Sequence, residues 1–108
     1  DADRTAISST VLPFFRALKR GDVGRIKDYL SEEEYRQYKV LLEENSEYPR
    51  FLREHYRGAS FHMGNLAMHD DHAVVDVMLS RSIGSSSVIK LHLKKDLGGR
   101  WRIGQHDR

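Results

Sequence analysis

The chain predicts an α+β fold in which N-terminal helices pack on a curved, four-stranded antiparallel sheet, a cone-shaped roll spanning one domain over residues 1–108. Three observations predict it. Up to Gly58, apolar residues recur three and four positions apart, the repeat that gathers side chains onto one face of a helix. Beyond Gly58 the repeat drops to two, that of a half-buried strand. The strand segments are joined by short turn-forming clusters, with no connection long enough for a crossover, so neighbouring strands run antiparallel.

Asp1 to Thr5 reads as a polar lead-in without periodicity. Val11, Phe14, Phe15 and Leu18 then form one apolar stripe. Pro13 lacks an N–H and leaves two solutions. Either Ser9 or Thr10 caps a helix whose first turn holds Pro13, or a longer helix from about Thr5 is kinked there. Ile7, in register with Val11, favours the longer one. Gly21 can take the left-handed conformation that closes a helix, and Asp22 can accept the backbone N–H bonds that open the next. In that second helix Val23, Ile26, Tyr29 and Leu30 face inward.

Ser31-Glu32-Glu33-Glu34 has the form of a capping box, with Ser31 bonding the N–H three residues on and Glu34 reaching back. A third helix is predicted from Glu32 to about Asn45, its inward stripe formed by Tyr35, Tyr38, Leu41 and Leu42. Pro49 starts a fourth, through Arg57, anchored by Tyr48, Phe51, Leu52 and Tyr56 and ended by Gly58.

The strands are predicted at Ser60–Met68, His72–Ser82, Val88–Lys95 and Arg100–Gly104. Gly64 and Asn65 interrupt the alternation of the first. In the second, Ala73, Val75, Val77 and Leu79 share one face, and Val74, Asp76, Met78 and Ser80 the other. The third turns Ile89, Leu91 and Leu93 inward and Lys90, His92 and Lys94 outward, and the last buries Trp101 and Ile103. Asp70-Asp71 and Asp96-Leu97-Gly98-Gly99 supply turn chemistry.

The chain has no cysteine, which excludes disulfides, zinc thiolates and thiol nucleophiles. No apolar run approaches the ~20 residues that span a bilayer. Charge is unevenly spread: residues 1–80 carry 11 basic against 14 acidic side chains, and residues 81–108 carry 7 against 2. A basic C-terminal sheet and a mildly acidic helical half can steer an anionic partner or favour self-association, or simply form a solvated face.

The stretch FFRALKRGDVGRIKDYLS, followed by a meander whose last hairpin reads VIKLHLKKDLGGRWRIGQ, resembles the nuclear transport factor two-like superfamily, the cystatin-like α+β roll. The style is that of its small bacterial, lipoprotein-type members of unassigned function. The resemblance runs from about Ile7 to Gln105 and rests on the apolar first helix ending at Gly21-Asp22 and on Trp101 after a glycine-rich turn. It implies a cone whose open end can hold a small molecule. Some members are isomerases, dehydratases or hydrolases that use an Asp, His or Tyr inside the cone, and others bind proteins or dimerise through the sheet. It also suggests an extracytoplasmic setting, periplasmic or lipid-anchored, in a bacterium. Only four strands are readable here, which makes a shallow cone and argues for binding over catalysis.

Asp76 stands in mid-strand between Val74 and Met78. If that face lines the cone, burial raises its pKa and makes it a general base, with His62 or a tyrosine of the third helix as partner. If Val75, Val77 and Leu79 face the helices instead, Asp76 faces water or a partner copy. Tyr29, Tyr35 and Tyr38 are the candidate pocket hydroxyls, although tyrosines at helical spacing also serve as core anchors, Tyr48 and Tyr56 included. His69-Asp70-Asp71-His72 is the densest set of potential metal ligands, yet a tight turn aims few side chains at one point, so His69 and His72 read as turn chemistry. His55 and Arg53 fit an exposed helix face. Lys90, His92, Lys94, Arg100 and Arg102 form a cationic strip that lacks the interleaved aromatics of a nucleic-acid surface. No phosphate-binding glycine loop, nucleophile elbow or H-E-x-x-H motif is present, and no cofactor is implied. The expected function is therefore a non-catalytic ligand-binding or protein-interaction domain, with a homodimer through the sheet as one form. The alternative is a small-molecule acid/base enzyme of isomerase, dehydratase or hydrolase type with a polar pocket in the cone.

Overall fold

A computed structural model describes residues 2–82 and 84–107, with side chains described as far as residue 104. Four helices precede four strands: α1 (Ala2–Arg20), α2 (Val23–Tyr29), α3 (Glu32–Glu43), α4 (Tyr48–His55), β1 (Ser60–His69), β2 (His72–Ser80), β3 (Ser86–Lys95) and β4 (Trp101–Asp107). The strands form one antiparallel sheet in the order β1-β2-β3-β4, the α+β arrangement that the change of period predicts.

The longer form of α1 is the one adopted, and it begins even earlier than Thr5. Residues 2–5, expected as a lead-in, form its first turn, while Asp1 lies outside the described residues. Two contacts hold that turn: Ile7 is fully buried, and Asp3 lies 3.3 Å from Lys95 of β3. Pro13 sits inside the helix and removes the N–H that would bond the Ser9 carbonyl. The stripe continues through it, because Ile7, Val11, Phe14, Phe15 and Leu18 are all buried. Each such side chain contributes roughly 1.5–3 kcal/mol relative to exposure, enough to offset one missing backbone bond of about 1 kcal/mol.

Gly21 ends α1 at φ +67°, where its N–H reaches the Leu18 carbonyl (3.1 Å) and the Asp22 N–H the Ala17 carbonyl (2.9 Å). Asp22 then caps α2 by accepting from the Arg25 N–H (3.2 Å). The Pro49 carbonyl of α4 comes so close that a Cβ on Gly21 would stand 2.4 Å from it. This glycine therefore sets both the bend between α1 and α2 and the approach of α4.

Alternation on the sheet follows the prediction. Ala73, Val75, Val77 and Leu79 of β2, Ile89, Leu91 and Leu93 of β3, and Trp101 and Ile103 of β4 are buried under the helices. Phe61, Met63 and Leu66 of β1 complete that face, with Phe61 stacked 4.7 Å from Phe15 of α1. The register shifts between Met63 and Leu66, where Gly64 and Asn65 interrupt the apolar pattern, and again between His92 and Leu93. At the other end of the chain's course, Leu30 bridges Ile103 in parallel, and the Ser31 N–H donates to the Ile103 carbonyl (2.8 Å). The link between α2 and α3 is thereby tied to β4.

The ends of β2 and β4 differ most from expectation, and β3 begins two residues early at Ser86. β2 stops at Ser80, because the Arg81 N–H turns to the Ser85 carbonyl (2.9 Å). β4 runs on to Asp107, its backbone paired with β3 as far as Lys90.

The β3–β4 turn is organised by Asp96. Its Oδ1 accepts from the backbone N–H groups of Gly98 and Arg100 (2.9 Å each), and its Oδ2 from Arg100 Nε (3.2 Å) and Arg102 Nε (3.4 Å). The Arg100 backbone bond, followed in influence by the Arg102 guanidinium bond, holds this carboxyl below its ordinary value near 3.8. Trp101 behind the turn is buried, with Lys95 Nζ 5.3 Å above its ring.

Two outcomes follow from these constraints. Gly21→Ala should destabilise the fold by at least the roughly 1–2 kcal/mol of a left-handed non-glycine residue, since the Pro49 carbonyl must also move; chemical denaturation will measure it, and a neutral substitution would refute the close approach. A lowered folded-state pKa stabilises the fold above the unfolded value and is lost as the pH falls through the folded one. Asp96→Asn should therefore lower the melting temperature at pH 7, and the gap from wild type should narrow on acidification below about pH 4.

Candidate functional site

The sheet's alternation decides first what is not in the interior. Asp76 pairs across the sheet with Lys90, and His62 with Met78, so both belong to the face turned away from the helices. Asp76 is 27% exposed and its Oδ1 lies 3.4 Å from Lys90 Nζ. Val75, Val77 and Leu79 take the inner face, and Asp76 and His62, expected as an acid/base pair, stand on the outer one, outside the linings of the groove and the cavity described below. Met78 and Val88 sit beside them, paired and exposed, on the surface expected for self-association.

His69 and His72 lie in the β1–β2 turn, where Asp70 takes φ +56°. Each imidazole pairs with its own neighbour, His69 with Asp70 at 3.7 Å and His72 with Asp71 at 2.7 Å, and all four side chains are more than half exposed. Among the described residues, no three His, Asp or Glu side chains gather as a metal site would require.

The three candidate pocket tyrosines separate. Tyr29 and Tyr35 border an open groove of about 1000 Å³ between α2, the start of α3 and the β3–β4 turn. Tyr35 donates a short hydrogen bond to Glu43 Oε1, and Glu43 also lies 3.5 Å from Lys27. That bond raises the Tyr35 hydroxyl and lowers the Glu43 carboxyl. The groove holds Lys94, Arg100 and Arg102 of the predicted cationic strip, and the two arginines are engaged within the chain. Asp96 holds Arg100 and Arg102, and Arg102 Nη1 also donates a short bond to the Asp28 carbonyl. Lys90 is taken by Asp76 on the outer sheet face.

Tyr38 lines the second space, an interior cavity of about 90 Å³ enclosed by all four helices and β3. Phe14, Phe15 and Leu18 of the apolar stripe and the inward-facing Ile26 are its buried walls. Leu42 of α3, Leu52 of α4 and Ile89 and Leu91 of β3 close it, and Tyr48, Phe51, His55 and Tyr56 of α4 add an aromatic side. Phe51 stacks between Tyr48 (6.0 Å) and His55 (5.5 Å) and is 55% exposed, so this ladder runs from the cavity to the surface. A space of this size takes a few waters or a compact molecule of roughly five to eight heavy atoms.

Its distinctive residue is Glu34. Ser31 Oγ does accept from the Glu34 N–H (3.1 Å), as the capping box predicts, but the Glu34 side chain turns inward and is 6% exposed. Among the described residues, neither a hydrogen-bond donor nor a cation reaches its carboxylate, and it is the sole acid of the cavity wall. Burial, with the charge of Glu33 second, pushes the carboxyl above its ordinary 4.5. The capping motif hid this residue. The usable signal was its spacing: Glu34, Tyr38 and Leu42 are four apart and belong to one stripe.

Known proteins were compared with this geometry. No family model and no curated protein sequence matches the chain. Solved structures do. A candidate NTF2-like (nuclear transport factor two-like) transpeptidase from Campylobacter jejuni is 13% identical with a TM-score of 0.66, over 85% of this chain and 91% of that one. A candidate ketosteroid isomerase from Shewanella frigidimarina is 18% identical with a TM-score of 0.62, over 94% and 92%. A DUF4783 family protein from Bacteroides ovatus is 16% identical with a TM-score of 0.54, over 88% and 89%. The chain has the NTF2-like fold that its first helix, Gly21-Asp22 and Trp101 suggest. No helix among the described residues is long and apolar enough to cross a membrane.

A raised folded-state pKa stabilises the fold below the unfolded value, and that stabilisation is lost as the pH rises through the folded one. Glu34→Gln, neutral throughout, should therefore melt like wild type near pH 4 and above it at pH 8. Equal melting at both would show that the buried carboxylate carries no cost.

Proposed function

We propose that this chain is a small-ligand-binding domain and that the cavity under α3 and α4 is its site. One observation carries the reading: among the described residues, an otherwise apolar and aromatic interior space is lined by one carboxyl, that of Glu34, a residue 6% exposed. A core built only for stability gains nothing from a carboxyl at that place, since burial penalises its charged form. A ligand that bonds it recovers the loss, while the surrounding rings supply apolar contact. The open groove fits this role less well, because Asp96 already engages its Arg100 and Arg102 and it encloses little.

The binding reading is non-catalytic. An acid/base enzyme remains the second reading, with Glu34 in the place expected of Asp76, because a carboxyl whose proton affinity burial raises can hold and return a proton. The isomerase-like neighbour is compatible with it, through the fold alone. Binding is favoured because Glu34 is the cavity's lone carboxyl, and the one basic side chain on its wall, His55, belongs to the exposed aromatic ladder.

A fragment set of up to about eight heavy atoms, followed by methyl-region NMR, tests the site. Shifts should concentrate on Ile26, Leu42 and Leu91, and Leu42→Phe, which fills the cavity, should weaken them at least tenfold in folded protein. Shifts gathered instead on Leu97 at the groove, with Leu42 and Leu91 unmoved, would move the site and overturn the proposal.

A further inference from the structure

Three features invite a further assignment: the cavity, the groove and the outer sheet face. The groove's cations are largely engaged by Asp96, Glu43 and the Asp28 carbonyl, and nothing in the structure shows what covers Met78 and Val88 on the sheet. The cavity goes further, since its lining also constrains the charge of its ligand.

We propose, building on the ligand-binding reading above, that the cavity selects a small organic cation, a compact alkylammonium group seated between the Glu34 carboxylate and the rings of Tyr38, Tyr48, Phe51 and Tyr56. Among the described residues, the wall contains one acid and neither lysine nor arginine. Glu34 is therefore a largely buried acidic group for which the described wall supplies no lysine or arginine. Glu33 on the same first turn of α3 adds to the negative potential at the Glu34 carboxyl, whereas Glu32 is paired with Arg36. An anionic ligand meets only repulsion. A neutral ligand leaves the carboxylate uncompensated or requires it protonated.

An aromatic wall adds a second preference of the same sign. Ring faces carry negative potential and attract ammonium groups within about 6 Å, an attraction that strengthens when the cation is stripped of water. The exposed ladder of Tyr48, Phe51 and His55 extends that surface from the cavity toward solvent. Apolar carbon on the ligand is accommodated by Leu42 and Leu91 opposite. Volume restricts the class: about 90 Å³ holds a branched alkylammonium of a few carbons and excludes a polyamine or a peptide side.

Three probes of one shape and different charge test this: tert-butylammonium, tert-butanol and pivalate, each titrated against the whole chain at pH 7.5 while the Leu42 and Leu91 methyl signals are followed. The ammonium should bind saturably and at least tenfold tighter than the alcohol, with pivalate weakest. In Glu34→Gln the ammonium and the alcohol should become equal. An alcohol that matches the ammonium in wild type, or pivalate binding tightest, would overturn the cation assignment while leaving the cavity as the site. Absence of any saturable shift from all three would overturn both. The wild-type series decides between these outcomes even if the variant folds poorly.

Discussion

A half-buried antiparallel sheet has one apolar face, and covering that face is the constraint from which the rest of this molecule follows. Val75, Val77, Leu91, Leu93 and Ile103 are at most 2% exposed, and α1 with its Phe14–Phe15 pair lies among the elements that shield them. One helix is too narrow to cover four strands. The chain solves this by bending sharply at Gly21 and returning as three shorter helices, α2 laid against α1 and β4, α3 against α2 and β4, and α4 against α1. A cover made of four pieces does not seal, and the gap left between the four helices and β3 is the cavity. Stability and binding space are thus two results of one packing problem.

The same alternation governs which carboxylates are chemically interesting. Asp76 and Glu34 invert the roles that their local sequence suggests. Asp76 lies among valines but one position out of phase with the buried ones, so it meets Lys90 and solvent. Glu34 lies in an acidic run at a helix start, where carboxylates ordinarily face water, yet it falls in phase with Tyr38 and Leu42 and is carried inward. Phase relative to the core, more than neighbours in sequence, sets the environment of each.

This explains what could be read in advance. Helix order, the break at Gly21-Asp22, the strand faces and Trp101 were legible because periodicity and backbone conformation are local properties. Of the candidate site, Tyr38 lines the cavity, and Phe14, Phe15, Leu18 and Ile26, whose spacing turns them inward, form its walls. Tyr29 and Tyr35 were not separable from Tyr38, because the rotation of α3 depends on contacts with β4 and α2 that periodicity alone does not supply. The extent of β4 was hidden for another reason: Gln105 and His106 pair with β3 through the backbone, which is indifferent to their polarity.

The tie between Leu30, Ser31 and Ile103 has a consequence for how the molecule lives among copies of itself. β4 is one border of the sheet, and a border strand offers unpaired N–H and C=O groups that another chain can extend into a continuous ladder. Here the Ser31 N–H takes up the Ile103 carbonyl, so the middle of that border is already occupied by the chain's own linker. At the opposite border, β1 shifts register between Met63 and Leu66, and an irregular strand makes a poor template. Both open sides of the meander are therefore blunted by covalently attached or built-in means, which protects a small sheet protein from edge-to-edge aggregation without a closed barrel.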